Sequence, residues 1–326
     1  MGPAPAVAEV RAAVRSALQA IAPARVLVAC SGGADSLALA AATAFVAPRE
    51  GVLAGLVTVD HGLQDGSARH AAWVAQLGYE LGLDPVEVVR VDVGKAGGPE
   101  GAARAARYAA IDAAAIALEA NVLLGHTLDD QAETVLLGLG RGSGPRSIAG
   151  MAAADGRYLR PFLRLRRATT EAACAALGVT PWDDPHNSDP SFQRVRLRRE
   201  VLPLLEDVLQ GGVAEALART ADLLRDDLEA LDAQAAEVAR DRCAARELDV
   251  ATVAALPRAV RSRALRAWAA AAGAAPLTAE RTAALDSLVT AWHGQGPVDL
   301  PGGVAVRRES GKLVAYPREE PPAGAP

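Results

Sequence analysis

The sequence predicts an α/β fold in which a parallel sheet carries helices on both faces and a mostly helical C-terminal domain follows. Short apolar runs of strand length alternate with segments of helical periodicity between residues 7 and 139, as in parallel sheets that are buried on both faces. From residue 213 onward helical periodicity dominates. With 326 residues, 51% of them hydrophobic, the chain is long enough to form two domains with separate cores.

The elements of the first domain follow from this alternation. Apolar side chains at helical spacing predict a first helix over residues 7–21. The later elements are predicted in this order: strand 26–30, a helix from residue 37, strand 51–59, helix 67–82, strand 86–91, helix 100–119, strand 121–124 and a helix from residue 128. Because ligands on such sheets bind at the carboxyl ends of the strands, we expect loops 31–36, 60–66 and 125–130 to line one crevice.

After residue 141 the predicted elements are mainly helices. They are expected near 167–177, over 194–208 with a kink at Pro203, and over 213–246, 257–272 and 278–292, with short strands between 298 and 316. Gly211 and Gly212 mark the expected domain boundary. The sequence thus predicts a first domain over 1–210, a mainly helical domain over 211–316 and a disordered tail over 317–326.

Composition excludes several classes of protein. The three cysteines, Cys30, Cys174 and Cys243, are widely spaced, which excludes a disulfide framework and argues against a zinc or iron–sulfur site. The net charge of −5 argues against general nucleic-acid binding, although arginines cluster in 157–167 and 194–199. No apolar run approaches the length of a membrane span, and the first residues lack the pattern of a signal peptide. We therefore expect a cytoplasmic protein that makes no membrane contact.

The motif SGGADS, Ser31–Ser36, follows the first predicted strand and precedes a helix. Adjacent glycines let the backbone approach a ligand closely, and N–H groups at a helix start attract anions. Asp35 would repel a phosphate unless a cation bridges the two, and Mg²⁺ accepts oxygen ligands from both. An ordinary capped turn is the alternative, but the position of the motif after the first strand favours a nucleotide site.

A second group of polar residues, 126–134, follows the fourth predicted strand. A helix that begins near Leu128 places Asp130 and Glu133 on one face, with His126 just before them. Helix capping alone explains acidic residues in a first turn. The position of the group at the carboxyl end of a strand instead favours a cation site, either for a metal or for a substrate ammonium.

Together these segments resemble the tRNA(Ile)-lysidine synthetases, a family of PP-loop ATP pyrophosphatases. The matching segments occur in the family's order, over 31–36, 59–63, 100–108, 126–137, 141–144, 160–163, 184–189 and 194–205. The SGGxDS motif alone is shared by many relatives, whereas segments 126–134 and 141–144 are specific to this family. Val195 departs from the family pattern, which often has Asn at that position.

The resemblance implies a PP-loop, adenine nucleotide alpha hydrolase-like fold and a two-step ligation. ATP adenylates the C2 oxygen of the wobble cytidine in tRNA(Ile) with a CAU anticodon, and pyrophosphate leaves. Free L-lysine then displaces AMP at C2, which converts AUG decoding to AUA decoding. ATP and Mg²⁺ are the implied cofactors, and residues 211–316 become a tRNA-binding or accessory domain. The sequence leaves the choice between a monomer and a homodimer open.

The resemblance also implies roles for individual residues. The expected ATP-binding residues, with Asp35 also the metal ligand, are Ser31, Gly32, Gly33, Asp35 and Ser36. The expected catalytic residues are Asp35, His126, Asp130 and Glu133. The expected substrate-binding residues are Arg104, Arg107, Asp130, Glu133 and Arg198, and the expected tRNA contacts are Arg141, Arg160, Arg164 and Arg194. By itself, the spacing of Arg104 and Arg107 on a helix also fits surface ion pairs.

Other functions compatible with the same motif stay open at this stage. A PP-loop tRNA thiolase would typically carry cysteine pairs, and none of the three cysteines here is paired in sequence. An amide-forming relative would need an ammonia source, and no glutaminase nucleophile pattern is visible. A non-catalytic tRNA- or nucleotide-binding module would not need Asp130 and Glu133 opposite the phosphate-binding loop. Release of pyrophosphate and AMP that requires both tRNA and lysine separates these functions.

Overall fold

Strands and helices alternate along the first part of the chain, as the sequence predicts. The computed structural model describes residues 2–62, 66–91, 99–142, 144–182, 189–244 and 246–318. The chain divides into two units, residues 1–222 and 223–326. The elements of the first unit are α1 (Pro5–Ile21), β1 (Arg25–Ala29), α2 (Ala34–Val46), β2 (Leu53–Asp60), α3 (Ser67–Glu80), β3 (Val86–Arg90), α4 (Pro99–Ala117), β4 (Asn121–Leu123), α5 (Leu128–Arg141), α6 (Pro145–Ile148), β5 (Ala154–Asp155), β6 (Tyr158–Leu159), α7 (Arg167–Leu177), α8 (Gln193–Arg196), a π-helical segment (Leu197–Val201), α9 (Leu202–Val208) and the start of α10 (Val213–Arg242).

The sheet of the first unit has the strand order β3-β2-β1-β4-β6-β5. β1 lies between β2 and β4 and is parallel to both, with Val28 opposite Leu56 and Leu123. The chain builds outward from β1 to β3 and then returns to the other side of β1 for β4. Ligands of open α/β sheets bind where the strand order reverses in this way, so the loops after β1 and β4 lie at the expected ligand-binding edge.

Alternate residues of β1 point to opposite faces of the sheet, and each face has its own core. Val26 and Val28 belong to the core that α1, α2 and α7 cover. Leu27 belongs to the core on the other face, with Ile111 and Ala115 of α4. The predicted fold class, a parallel sheet with helices on both faces, is therefore confirmed.

The segment 193–208 is helical as predicted, but its break differs from the expected kink. A π-helical segment, Leu197–Val201, separates α8 from α9. Pro203 lies in the first turn of α9, directly after this π-helical segment.

The second unit contains the predicted helices and a small antiparallel sheet, but the helix predicted over 213–246 ends at Arg242 and a short strand follows it. After the remainder of α10, its elements are β7 (Cys243–Ala244), β8 (Glu247–Asp249), α11 (Val250–Ala254), α12 (Arg258–Ala271), α13 (Ala279–Thr290), β9 (Val298–Leu300), β10 (Val304–Glu309) and β11 (Lys312–Pro317). The strand order is β7-β8-β11-β10-β9. Trp268, Leu285 and Leu313 are among the buried residues of its core. Among the helices of the described ranges, none has the length and apolarity of a membrane span.

Parts of five predictions fall on residues outside the described ranges. These are residues 63–65 of the loop after β2, residue 143, residues 183–188, residue 245 of the helix predicted over 213–246, and residues 319–326 of the predicted tail. Pro317, where that tail was expected to begin, ends β11. The boundary after residue 210 stays a prediction; the first unit ends within α10.

Two glycines of α5 give a matched test of helix packing. A Cβ atom at Gly138 would lie 2.2 Å from the Ser147 carbonyl oxygen, whereas a Cβ atom at Gly140 would meet nothing within 4 Å. We expect Gly138→Ala to lower the free energy of unfolding by about 2 kcal/mol because backbone must move. Gly140→Ala should raise it by roughly 0.5–1 kcal/mol. Urea denaturation of both variants checks this, and equal effects would contradict the packing described for α5.

Candidate active site

The turn between β1 and α2 has the shape of an anion cradle. Gly32 has a φ of +83°, and a Cβ atom there would lie 2.5 Å from the imidazole of His70, so only glycine fits. Ser36 Oγ donates a hydrogen bond to the Gly33 carbonyl over 3.0 Å and lies 3.3 Å from Ser31 Oγ. No side chain of the described residues caps the N-terminus of α2. The first N–H groups of α2 therefore stay available for a phosphate.

The carboxylate of Asp35, in the first turn of α2, is held by two side chains of α7. Thr170 Oγ1 donates a hydrogen bond to Asp35 Oδ1, and Arg167 Nε donates to Asp35 Oδ2 over 3.2 Å. Burial raises the pKa of the Asp35 carboxyl above its ordinary value, and the charge of Arg167 offsets part of that rise. α7 thereby fixes the acidic residue of the loop at the edge of the sheet.

Helix capping at the start of α5 explains part of the acidic group formed by Asp129, Asp130 and Glu133. Thr127 N donates to Asp130 Oδ2 over 2.8 Å, and Thr127 Oγ1 accepts from Asp130 N, which forms a capping box. Asp129 Oδ2 accepts a hydrogen bond from Arg167 N over 2.7 Å, so Asp129 serves the start of α7. Capping accounts for Asp129 and for one oxygen of Asp130, but not for the other oxygen or for Glu133.

Guanidinium groups bind the carboxylate oxygens that capping leaves. Arg167 Nη2 lies 2.6 Å from Asp130 Oδ1. Arg198 Nε lies 2.7 Å from Glu133 Oε1, and Arg198 Nη2 lies 3.5 Å from Asp130 Oδ1. Arg167 thus joins the loop after β1 to α5. We call Asp35, Asp130, Glu133, Arg167 and Arg198 the carboxylate–arginine cluster.

The two carboxylates of α5 differ in exposure and in acidity. Burial alone would raise the pKa of Asp130, but Arg167, the Thr127 N–H and Arg198 together hold that pKa below its ordinary value. Burial raises the pKa of Glu133, and Arg198 only partly offsets the rise. The side chain of Glu133 is 0% exposed and that of Asp130 is 13% exposed. Asp130 is therefore the ionised carboxylate that a ligand can reach, and Glu133 mainly holds Arg198.

His126 lies beside this cluster as a neutral group. Burial lowers the pKa of its imidazole to about 4, with Asp130 opposing that shift and Arg160, Arg104 and Arg107 adding to it. Its Nδ1 atom is buried and has no hydrogen-bond partner among the described residues. The fold thus brings His126 and three predicted substrate- or RNA-binding arginines into one neighbourhood.

The four arginines expected to contact tRNA occupy different environments. Arg141 ends α5 at an exposed position, and the side chain of Arg164 is 88% exposed and pairs with Asp222. Arg160 is only 9% exposed, and its Nη1 donates to the Ala152 carbonyl. Arg194 lies 3.7 Å from Glu133, beside the carboxylate–arginine cluster. Their roles in tRNA binding stay predictions, and only Arg141 and Arg164 present largely exposed side chains.

Sequence reasoning missed Arg167 and Thr170 as parts of the site. In the sequence, Arg167 is the last member of the arginine cluster 157–167, and Thr170 belongs to no recognisable motif. Both reach Asp35 from more than 130 positions away along the chain, a distance that local periodicity does not encode. One signal was available: several carboxylates in one crevice require cationic partners, and Arg167 begins a helix nearby.

The residues present fit Mg²⁺ only together with a nucleotide. Within the described ranges, no three His, Cys, Asp or Glu residues come close enough to hold a metal ion on their own. Asp35 therefore would be one ligand, and phosphate oxygens in the adjoining cradle would supply others. The role of Asp35 as a metal ligand stays a prediction.

Comparison with known proteins places the chain in a family. One family model, described as a PP-loop domain, matches residues 7–205, and another, described as a TilS substrate binding domain, matches residues 248–314. The tRNA(Ile)-lysidine synthase of Thermobifida fusca is 60% identical over 321 residues, covering 96% of this chain and 98% of that protein. The chain belongs to the tRNA(Ile)-lysidine synthase family. The resemblance inferred from the motifs is confirmed.

One further relative agrees with this assignment, and one solved structure shares the fold. The tRNA(Ile)-lysidine synthase of Streptomyces coelicolor is 59% identical over 296 residues, covering 89% of this chain and 84% of that protein. Among solved structures, the U34-tRNA thiolase NcsA of Methanococcus maripaludis has a TM-score of 0.57 at 17% identity, covering 68% of this chain and 79% of that one. At that identity the thiolase supports the PP-loop fold alone, whereas the curated relatives carry the family.

Removal of Arg167 should destabilise the protein in a pH-dependent way. Arg167→Ala leaves the carboxylates of Asp35 and Asp130 without their shared cation, and we expect a loss of about 3 kcal/mol in the free energy of unfolding at pH 7.5. Burial already raises the pKa of Asp35, and loss of Arg167 raises it further above that of the unfolded chain, so lowering the pH to 5 should recover part of the loss. Arg164→Ala is the control and should change stability by less than about 0.5 kcal/mol. Urea denaturation at both pH values measures this, and a loss that grows on acidification would contradict the cluster.

The low pKa of His126 predicts a loss of stability in acid. Between pH 6.5 and 4 the unfolded chain binds a proton that the folded imidazole, with its pKa of about 4, does not bind. The free energy of unfolding therefore falls as the pH falls through this window. Between pH 7.5 and pH 5, the free energy of unfolding of the wild type should fall by about 2 kcal/mol more than that of His126→Asn. The control His293→Asn, which replaces an exposed histidine, should behave like the wild type. Equal losses in wild type and His126→Asn would refute the assignment of a buried neutral imidazole.

Proposed function

We propose that this protein ligates free L-lysine to C2 of the wobble cytidine of tRNA(Ile) with a CAU anticodon, in the cytoplasm and at the expense of ATP. The proposal rests on two different parts of the site, called half-sites here, that lie side by side: one suited to the phosphates of ATP and one suited to an ammonium group. The phosphate-binding turn follows β1, the carboxylates of α5 follow β4, and Arg167 contacts both. A phosphate site beside an ammonium site is what adenylation followed by amine transfer requires.

The turn after β1 supports the adenylation half of this reaction. In this proposal the N–H groups at the start of α2 bind the phosphates of ATP, while the Ser36 hydroxyl, which donates to the Gly33 carbonyl and lies 3.3 Å from Ser31 Oγ, holds the shape of the turn. Mg²⁺ held by Asp35 and the phosphates would neutralise the negative charge that develops on them. Binding here orients the α-phosphate toward the cytidine C2 oxygen, and pyrophosphate leaves.

The start of α5 supports the lysine half. The ε-amine of free lysine has a pKa of about 10.4 and arrives as an ammonium. Asp130 suits this cation because its carboxylate stays ionised and is partly exposed. An ammonium there would share Asp130 with Arg167 and Arg198, and Glu133 would keep Arg198 in place. Attack on C2 requires the ammonium to lose a proton to solvent. Because the pKa of Asp130 is held low, we assign its carboxylate to binding and orienting the ammonium and not to accepting that proton.

The described cysteines argue against thiolation as the second candidate. Cys30 and Cys174 are both buried. Burial raises the pKa of the Cys30 thiol, and it raises that of the Cys174 thiol to about 11. Both thiols are therefore protonated at neutral pH and poor nucleophiles. The likeness to a U34-tRNA thiolase is a likeness of fold alone.

Incubation with ATP, labelled lysine and total tRNA tests the proposed function. We expect label on one tRNA species, with release of AMP and pyrophosphate that requires both tRNA and lysine. Transfer of label to no tRNA, or to several, would refute the proposal.

Replacement of Asp130 tests the lysine half separately. Asp130→Asn keeps an oxygen that caps α5 but removes the negative charge, so we expect lysine transfer to fall at least about 100-fold while Mg·ATP binding persists. Glu200→Gln is the matched control, since Glu200 forms an exposed pair with Arg196 and should transfer lysine normally. Calorimetry of Mg·ATP binding and transfer of labelled lysine measure the two properties. Unchanged lysine transfer by Asp130→Asn would remove this carboxylate from the site.

A further inference from the structure

A cavity of about 540 Å³ lies beside the phosphate-binding turn and shares no residue with the carboxylate–arginine cluster. Its walls come from the start of α3 and from the segment that follows α7. They include Ser67, Arg69, His70, Trp73, Thr180 and Trp182. Two of the chain's four tryptophans therefore line one cavity, although aromatic residues make up only 3% of the sequence.

Three aromatic rings form the wall of this cavity. The imidazole of His70 stacks on Trp73, with ring centroids 5.5 Å apart and planes at 29°. The same imidazole lies 3.9 Å from the ring of Trp182, with planes at 33°. Trp73 is 40% exposed, so part of its indole is open to a ligand. Flat surfaces of this kind are where unpaired nucleobases stack in RNA-binding proteins.

Hydrogen bonds connect the walls of the cavity to carbonyl oxygens of the turn between β1 and α2, and not to the N–H groups that form the anion cradle. His70 Nε2 lies 2.8 Å from the Ser31 carbonyl oxygen, and Trp182 N donates to the Gly32 carbonyl oxygen over 2.9 Å. Since a carbonyl only accepts, Nε2 of His70 carries the proton. The carbonyl oxygens of the turn therefore point toward the cavity and would repel a phosphate. The N–H groups that attract phosphate belong to the start of α2, so the cavity is separate from the phosphates of ATP.

We propose that this cavity binds an unpaired nucleobase of the RNA substrate, one that neighbours the modified cytidine. The proposal rests on the proposed function for the identity of the substrate. The base stacks on the indole of Trp73, and the exposed guanidinium of Arg69, on the preceding turn of α3, neutralises the adjoining phosphate. Because His70 links the cavity to Ser31, the neighbouring nucleotide is anchored next to the site where cytidine meets ATP.

Binding of a tRNA(Ile) anticodon stem-loop, measured by filter retention without ATP or lysine, tests this site. Trp73→Ala should weaken binding about tenfold with an unchanged salt dependence, since stacking releases no counterions. Arg69→Ala should lower the slope of log K against log salt by about 0.7. Tyr79→Ala, which removes a 60% exposed aromatic residue from the same helix outside the cavity, is the matched control and should bind like wild type.

A stem-loop with an abasic site next to the cytidine completes the test. Wild type should lose about tenfold in affinity for this RNA, whereas Trp73→Ala should bind both RNAs equally. A Trp73→Ala variant that binds intact RNA like wild type would overturn the proposal. So would a variant that loses affinity for ATP instead of RNA, because the cavity would then hold adenine. RNA binding that depends on Trp73 in a protein that transfers no lysine would support the cavity and refute the proposed function.

Discussion

The shared guanidinium of Arg167 is the interaction on which the rest of the site depends. Carboxylates gathered at one edge of a sheet repel one another, and burial makes that repulsion stronger. Arg167 contacts Asp35 through one nitrogen and Asp130 through another. Arg198 supplies a second cation for Asp130 and Glu133. The chain can therefore hold three acidic side chains within one crevice.

The topology of the sheet brings the partners of Arg167 together. β1 and β4 are adjacent and parallel although β2 and β3 lie between them in sequence. Their carboxyl ends open at the point where the strand order reverses, which is the usual ligand-binding edge of such sheets. A Cβ atom at Gly125 would lie 3.0 Å from the backbone of Asp35, so the two loops approach each other about as closely as backbone packing allows. The meeting of the two half-sites is thus a property of the fold as well as of its side chains.

Motifs and periodicity predicted the architecture and half of the site. The SGGADS turn, the acidic start of α5 and the strand–helix alternation are local patterns, and each occurs as expected. Strands β5 and β6 were not predicted because each is only two residues long, too short to show the alternation of apolar and polar residues that identifies a strand. Arg167 and Thr170 were missed for a different reason, since their importance lies in contacts across the fold. The cavity beside His70 likewise combines residues from two distant segments, neither of which has a recognisable motif.

A crystal structure with L-lysine and a non-hydrolysable Mg·ATP analogue would test the central claim most directly. The account predicts phosphates at the start of α2 and the lysine Nζ within hydrogen-bond distance of the Asp130 carboxylate, in the same crevice. A lysine ammonium bound away from Asp130, with the phosphates still at the turn, would contradict the claim that the two half-sites form one active site.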